Sequence, residues 1–308
     1  MKRIVLAGGT GNLGRLLVDA FLNLDYEVVV LTRGNKKSEF DNLHYVHWDG
    51  KSMGEWANAL QGSDTIINLS GQSIQCRFTA ENKKILKESR IEPTRTLGEM
   101  ISTLDHAPRL WINFSGISLF EGLEPFSDEN STVLGKGFLA ELSQEWERAF
   151  WQYKLEETKQ VVLRISPVLS NDFGMFEELY PLIRLGLGGK VGDGQQYISW
   201  ITDEDFVRLV TYIVQLENPA RIYHACTPHP NTNEVFMQSL RTALSVNFGL
   251  PLPRLFAKLG AWLKGVEPTL LLESNAVTTI QTISDGFIFN HPNCEQAFVY
   301  LVKKLNQK

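Results

Sequence analysis

The chain has 308 residues, 43 % apolar and 21 % charged, with a formal net charge of −5. That length suits one large α/β domain with an extra lobe, or two modest domains. The acidic balance lacks the basic stripe of a nucleic-acid reader, and no apolar run reaches the ~18–20 residues that span a bilayer. Three scattered cysteines, Cys76, Cys226 and Cys294, make neither a disulfide framework nor a metal site. His224 and His229 lack the carboxylate or cysteine company of a zinc site. Cys226 reads as a small buried hydrophobe. With no signal-peptide pattern at the start, a reducing, cytoplasmic setting is expected, with no metal, nucleic-acid or membrane partner.

In chain order, Ile4–Ala7 reads as a buried strand that breaks at Gly8 and Gly9. Leu13, Leu16, Leu17, Ala20 and Phe21 then recur at helical spacing. Gly8, Gly9, Gly11 and Gly14 punctuate the turn between strand and helix, in the spacing and context of a dinucleotide-binding fingerprint. Glycines there let a backbone approach a pyrophosphate, which sits on the positive end of the helix.

Glu27–Leu31 is a second strand, ending at Thr32 and Arg33. An acidic residue at this tip would favour NAD and repel a 2′-phosphate. Arg33 instead offers a guanidinium fork, with Lys36 and Lys37 just beyond, so NADP(H) is expected over NAD(H). Further strands are read at Leu43–Trp48, Ser63–Ser70, Arg109–Ser115, Gln160–Leu169 and Arg221–Ala225, with helices at about 79–104, 141–157 and 203–216. The alternation implies a doubly wound parallel sheet, with ligands beyond the carboxyl ends of its strands. Those ends carry Arg33, Asp49, Ser70, Gly71, Ser115 and Pro167–Ser170.

After about residue 171 the rhythm breaks at the glycine-rich stretch Leu185–Gly194, which is too glycine-rich for a regular element. Residues 1–170 with about 200–226 are assigned to a Rossmann domain. Residues 171–199 and 227–308 are assigned to a smaller, interleaved lobe that holds substrate.

The residues resemble the short-chain dehydrogenase/reductase superfamily in its extended, sugar-nucleotide-epimerase-like form, and more narrowly its "epimerase family protein" branch with an extra C-terminal region. The resemblance is carried by GGTGNLG at the start, FTAENKKILKESRIEPTRTL at 78–97 and FLAELSQEWE at 138–147. LRISPVLS at 163–170 and RLGLGGKVGDGQQYISWITDEDFV at 184–207 extend it. It implies that Gly8, Thr10, Gly11, Asn12, Leu13 and Gly14 hold the pyrophosphate and that Thr32 and Arg33 flank the 2′-phosphate. Asp49 would approach the adenine, Leu69, Ser70 and Gly71 would pass the ribose, and Ser166, Pro167 and Val168 would lie along the nicotinamide. Ser115 falls where the superfamily places its catalytic serine, and extended members are often dimers, so a homodimer is expected.

The superfamily's proton donor is the tyrosine of a Tyr-x-x-x-Lys pair. Phe138 and Leu142 stand at those positions, and neither can donate a proton or carry a charge. The branch's Gly-Tyr-Tyr-Gly segment is here Ser118-Leu119-Phe120-Glu121, so a substitute phenol is missing too. Lys136, Glu121, Glu141 and Tyr197 are the candidate stand-ins, and Arg90, Gln195 and Trp200 the candidate contacts to a polar substrate. Two readings follow: an NADP(H)-dependent oxidoreductase or epimerase acting on a small polar molecule, or a catalytically silent NADP(H)-binding or redox-sensing protein.

Overall fold

The structure, a computed structural model, describes residues 1–123 and 126–307. Strand β1 (Arg3–Ala7) leads through the glycine turn into α1 (Asn12–Asn23), which buries Leu17, Val18 and Phe21 against the sheet. β2 (Glu27–Thr32), β3 (Leu43–His47) and β4 (Thr65–Asn68) follow, then the long helix α2 (Ala80–Ile101), whose first turn is capped by the Thr79 side chain accepting from Asn82 N–H. β5 (Leu110–Gly116), α3 (Phe138–Trp151) and β6 (Lys159–Ile165) complete the regular alternation.

The sequence pattern extends the sixth strand to Leu169. The ladder stops at Ile165, because Pro167 has no N–H to give it. Val168–Leu169 forms a separate short strand, β7. The chain continues through α4 (Gly174–Arg184), β8 (Tyr197–Ile198), β9 (Ile201–Thr202), α5 (Asp203–Gln215) and β10 (Ile222–Ala225). β11 (Asn231–Thr232), α6 (Asn233–Ala243), α7 (Arg254–Lys264), α8 (Thr269–Leu272), α9 (Gln281–Ser284) and α10 (Cys294–Leu305) end it.

The main sheet has seven strands in the order β10-β6-β5-β4-β1-β2-β3, every neighbouring pair parallel. The order reverses between β1 and β4, the switch point where such sheets open a crevice at their carboxyl ends. One face packs Ile4, Leu6, Ile112 and Leu163 against α1 and α5; the other packs Val5, Trp111 and Val162 against α2 and α3. A third apolar cluster joins Phe176, Ile183, Trp200, Phe236, Leu240 and Phe298, drawn from α4, α6, α10 and the segment before β9.

The TDEDF stretch of the resemblance ties these layers together. Buried Asp203 accepts from Ser170 Oγ (2.9 Å), Tyr300 Oη (2.9 Å) and Lys304 Nζ (2.7 Å), pinning α10 to the start of α5. Buried Asp205 takes the N–H groups of Asn290 and His291 and pairs with Arg208. Among the described residues, no helix is long and apolar enough to cross a membrane.

Candidate functional site

The crevice at the carboxyl ends of β1, β4 and β6 is floored by the glycine turn. Gly8 has φ of +78°, and a Cβ there would lie 3.1 Å from the Ser70 backbone. A Cβ on Gly14 would lie 2.4 Å from the Gly9 carbonyl oxygen. Both positions therefore demand glycine. Above them Gly11 and Asn12 are exposed, with Thr10 and Leu13 half-buried beside them. Helix α1 begins with no side-chain cap and no acidic residue in its first turn, so its first N–H groups and the positive helix end face the crevice unneutralised. This is a cradle for an anion.

At the tip of β2, Thr32 Oγ1 accepts from Gly34 N–H (3.3 Å). Arg33 is exposed, and among the described residues it has no ion-pair partner. Asp49 is exposed as well. The Ser52 side chain and the N–H groups of Ser52 and Lys51 bond its carboxylate and hold it at about 2, so it is anionic in any ordinary buffer. Across the crevice, Ser70 N–H donates to Asn68 Oδ1, and exposed Gly71 leaves room for the Arg90 guanidinium, whose Cζ is 3.2 Å from where a Gly71 Cβ would be. Ser166 spends its hydroxyl on the Ala225 carbonyl (2.7 Å), Pro167 is exposed and Val168 is buried.

Arg90 donates to the carbonyls of Leu86 and Gln72 (both 3.0 Å) and lies 5.2 Å from the Trp146 ring, and burial lowers its pKa to about 10. It is placed beside the crevice, held to the backbone of the loop that follows β4.

Beneath the crevice a polar row crosses three strands, with Ser115 in register with Arg164 and Arg164 in register with His224. Glu147, from α3, accepts from Ser115 Oγ (2.7 Å) and Arg164 Nε (2.8 Å) on Oε1 and from Arg164 Nη2 (2.9 Å) on Oε2. His224 Nδ1 lies 2.9 Å from the Thr278 carbonyl, which requires a proton on that nitrogen. Nε2 is then left to accept from Arg164 Nη1 at 3.3 Å. Burial, together with the Arg164 charge, pushes the His224 pKa down and keeps the ring neutral. The His224 backbone N–H donates to Glu129, which also takes Thr279 Oγ1 and the N–H groups of Ile280 and Gln281. Ser115 is thus buried, with its hydroxyl proton directed at the carboxylate of an ion pair. Its place at the end of β5 is as expected; its surroundings are not those of a free hydroxyl facing substrate.

A cleft of about 270 Å³ opens at the N-terminus of α3, lined by Phe78, Lys83, Glu121, Gly137, Phe138, Leu139, Glu267, Thr269 and Glu273. Phe138 packs edge-on against Phe78 (5.1 Å) under Lys83 Nζ (5.0 Å), and Leu142 is buried with Leu86 and Leu139. The tyrosine and lysine positions have therefore become part of an apolar cluster. Three carboxyl groups line the cleft with Phe138, of which Glu267 is taken up in accepting from the Phe78 N–H (3.1 Å). Glu121 Oε2 is 3.3 Å from where a Gly137 Cβ would be, close to the start of α3. Burial raises the Glu273 carboxyl above its usual range, and among the described residues its side chain has no hydrogen-bond or ion-pair partner. Sequence reasoning missed Glu273, a lone acid at the end of an apolar run with no pattern around it.

Of the other candidates, Tyr197 sits edge-on to Phe126 (5.0 Å), and its backbone N–H bonds Ser274 Oγ, in the segment that carries Glu273. Lys136 and Glu141 are exposed near the α3 start. Gln195 is exposed and turned to Glu234 (3.3 Å), away from the crevice. Trp200 corrects the expectation outright: it is 0 % exposed, inside the cluster of α4, α6 and α10, where no substrate reaches it. Cys226 is fully buried beside Ile117, Leu119 and Phe120. Among the described residues, no group of three His, Cys, Asp or Glu could hold a metal ion. A larger depression, about 480 Å³, lies on the outer side of α2 and α3 among Lys84, Lys87, Glu88, Glu145 and Arg148, away from the strand ends.

The NAD dependent epimerase/dehydratase family matches residues 4–136 of this chain. An epimerase family protein of Staphylococcus epidermidis is 29 % identical over 304 residues, covering 98 % of this chain and 100 % of the relative. The crystal structure of human epimerase family protein SDR39U1, determined with NADPH, superposes with a TM-score of 0.87 at 25 % identity over 98 % of this chain and 99 % of that one. A nucleoside-diphosphate sugar epimerase from Corynebacterium glutamicum shares the fold, with a TM-score of 0.77 at 22 % identity, over 99 % of this chain and 60 % of that one.

Proposed function

We propose, on the premise that the chain belongs to the NAD dependent epimerase/dehydratase family, that it binds NADP(H) and acts as an oxidoreductase or epimerase on a small polar, sugar-nucleotide-like molecule. The observation that carries this reading is the cradle, where Gly8 and Gly14 leave no room for a side chain directly beneath an uncapped helix end. The residues fit the dinucleotide: its pyrophosphate would lie on residues 8–14 and its 2′-phosphate against Arg33. NADPH in the structure of the human relative supports the same choice. The three free cysteines suit a cytoplasmic setting.

When bound, the nicotinamide supplies or accepts hydride. The chain must manage the proton. Phe138 lines the cleft and Leu142 is buried with Leu86 and Leu139, neither with an exchangeable proton, so in a reduction the proton for the substrate oxygen comes from a carboxyl group, Glu273 or Glu121. Desolvation keeps Glu273 protonated to higher pH than an ordinary glutamate, which is the property a general acid needs. Lys83 and Arg90 supply positive charge on the α2 side for polar substrate groups.

The silent, NADP(H)-sensing reading is favoured by one observation, the commitment of the Ser115 hydroxyl to Glu147. A screen of sugar nucleotides and small polar carbonyl compounds separates the two, read as NADPH absorbance loss for a net reduction and as the appearance of an epimeric product by NMR for an epimerisation, which returns the cofactor unchanged. The enzyme reading requires a turnover that Glu273→Gln or Glu121→Gln lowers by about 10²–10⁴-fold. Undiminished NADPH and no epimeric product with every compound, in a protein that binds NADPH, would leave the sensor.

A further inference from the structure

Between Ala261, the last buried residue of α7, and Ala276, the chain passes through α8 without burying a single residue. The near end turns at Gly265, where φ is +74° and a Cβ would meet nothing within 4 Å. The far end is fixed. Ser274 accepts from Gly122 N–H (2.9 Å) with its carbonyl and from Tyr197 N–H (3.0 Å) with its hydroxyl, and Ala276 and Val277 return to the core. Residues 262–273 are thus a strap held at both ends. Among the described residues, Leu270 alone ties its middle to a core cluster, beside Leu86, Leu139 and Leu142. A segment with so little apolar burial opens at a free energy well below that of the whole fold.

The other ties are polar, and they converge on three residues of the loop that leads into α2. Arg77 Nη2 donates to the Trp262 carbonyl (2.6 Å), and its guanidinium lies 4.9 Å from the Trp262 ring. Glu267 N–H donates to the Cys76 carbonyl (3.1 Å), while Glu267 Oε2 accepts from Phe78 N–H (3.1 Å). One residue therefore closes the strap at two points. The strap brings Glu267, Thr269 and Glu273 to the cleft, and the loop and α2 bring Phe78 and Lys83, so this clasp joins two of its walls. Glu267 spends its side chain on the clasp. Glu273, on the same strap, stays unpartnered among the described residues, and the burial that raises its carboxyl is present with the strap closed.

We propose that residues 262–273 open and close over the cleft and that Glu267 is the latch, a positioning residue that sets Glu273 in place without touching substrate. Closing buries the reacting groups; opening admits and releases the small molecule. The proposal rests on the reading of this cleft as the reaction site, but its test needs neither cofactor nor turnover, so the two can fail separately.

The test is amide hydrogen exchange of the full chain. The N–H groups of Val266, Glu267, Leu270, Leu271 and Glu273 are all hydrogen-bonded. They should share one protection factor, about 100-fold or more below that of Val277 and Thr278 just beyond the strap. Glu267→Ala should lower the shared value about tenfold, the equivalent of one hydrogen bond, and leave α6 and α10 unchanged. Glu267→Gln keeps an acceptor for Phe78 N–H and should restore most of the protection. A thiol in the cleft reads the opening independently. In a Cys76→Ser background, whose other cysteines are buried, Phe138→Cys should react with a fluorescein maleimide, too large for a cleft of about 270 Å³. Adding Glu267→Ala should speed that reaction by the same tenfold. A strap protected like Val277, a Glu267→Ala change confined to the Phe78 amide or spread over the whole chain, a glutamine that restores nothing, or labelling indifferent to Glu267 would each overturn the proposal.

Discussion

Replacing Glu147 by glutamine tests whether the buried row across β5, β6 and β10 holds the sheet to α3. Glu147 neutralises Arg164 through two bonds of 2.8 and 2.9 Å and accepts Ser115 as well, and neither partner of the ion pair is open to water. The Glu147→Gln change keeps the volume, but removes the charge and turns an NH₂ donor toward a guanidinium that has only donors. An uncompensated buried charge costs about 3–5 kcal/mol, about a fifth or more of the roughly 5–15 kcal/mol that keeps a domain folded. Ser115→Ala removes one bond to a carboxylate that keeps both of its arginine contacts, and should cost about 1.5–3 kcal/mol. The double change Glu147→Leu with Arg164→Met removes both charges together and should recover most of the loss. Urea unfolding followed by tryptophan fluorescence measures all three, with stability read from the midpoint at an unchanged slope. A Glu147→Gln protein within about 1 kcal/mol of the parent, or a double variant no better than the single one, would show that the row is not a coupled, desolvated unit.

Acid should loosen the same region before general acid denaturation sets in. His224 is held neutral in the fold, its pKa pushed below the unfolded value of about 6.5 mainly by burial. Its contribution is therefore complete above that value and declines as pH falls below it. His224→Gln should flatten the upper part of the stability–pH curve, and a curve of unchanged shape would contradict the assignment. Gly14→Ala puts a Cβ 2.4 Å from the Gly9 carbonyl and should abolish nucleotide binding as measured by calorimetry; retained affinity would mean that the turn is not the cradle. Trp200→Ala should cost about 3–5 kcal/mol of stability through the cavity it leaves, while leaving the NADPH dissociation constant within about twofold, because Trp200 is fully buried in its cluster and offers no surface to a ligand.

Much of this was legible in the chain. The parallel sheet followed from all-apolar strands alternating with helical spacing, and the cradle from glycines placed between the first strand and its helix. Local pattern carries both, since each element declares its own period and the turn declares its own dihedrals. What depended on packing did not show. Ser115 could be placed at the end of β5 but not recognised as a partner of Glu147, because the two meet only when α3 folds over β5 and brings Arg164 and His224 into register. Trp200 stood in the most distinctive stretch of the sequence and invited a substrate role. Nothing local revealed that Phe176, Phe236 and Phe298 would enclose its cluster from three separate helices. Glu273 gave no signal at all, since its neighbours in the cleft are Phe138 and Glu121, far away along the chain.

The central claim is that residues 8–14 and Arg33 hold NADP(H). Titrating the purified chain with NADPH and with NADH, by nicotinamide fluorescence, and repeating both with Arg33→Ala tests it directly. Tighter binding of NADPH than of NADH is expected, with the variant losing about 10–100-fold in NADPH affinity, the equivalent of one charged contact to phosphate, and nothing in NADH affinity. Equal binding of the two nucleotides, or an Arg33→Ala protein that still prefers NADPH, would contradict the role given to Arg33. No binding of either would contradict the cradle itself.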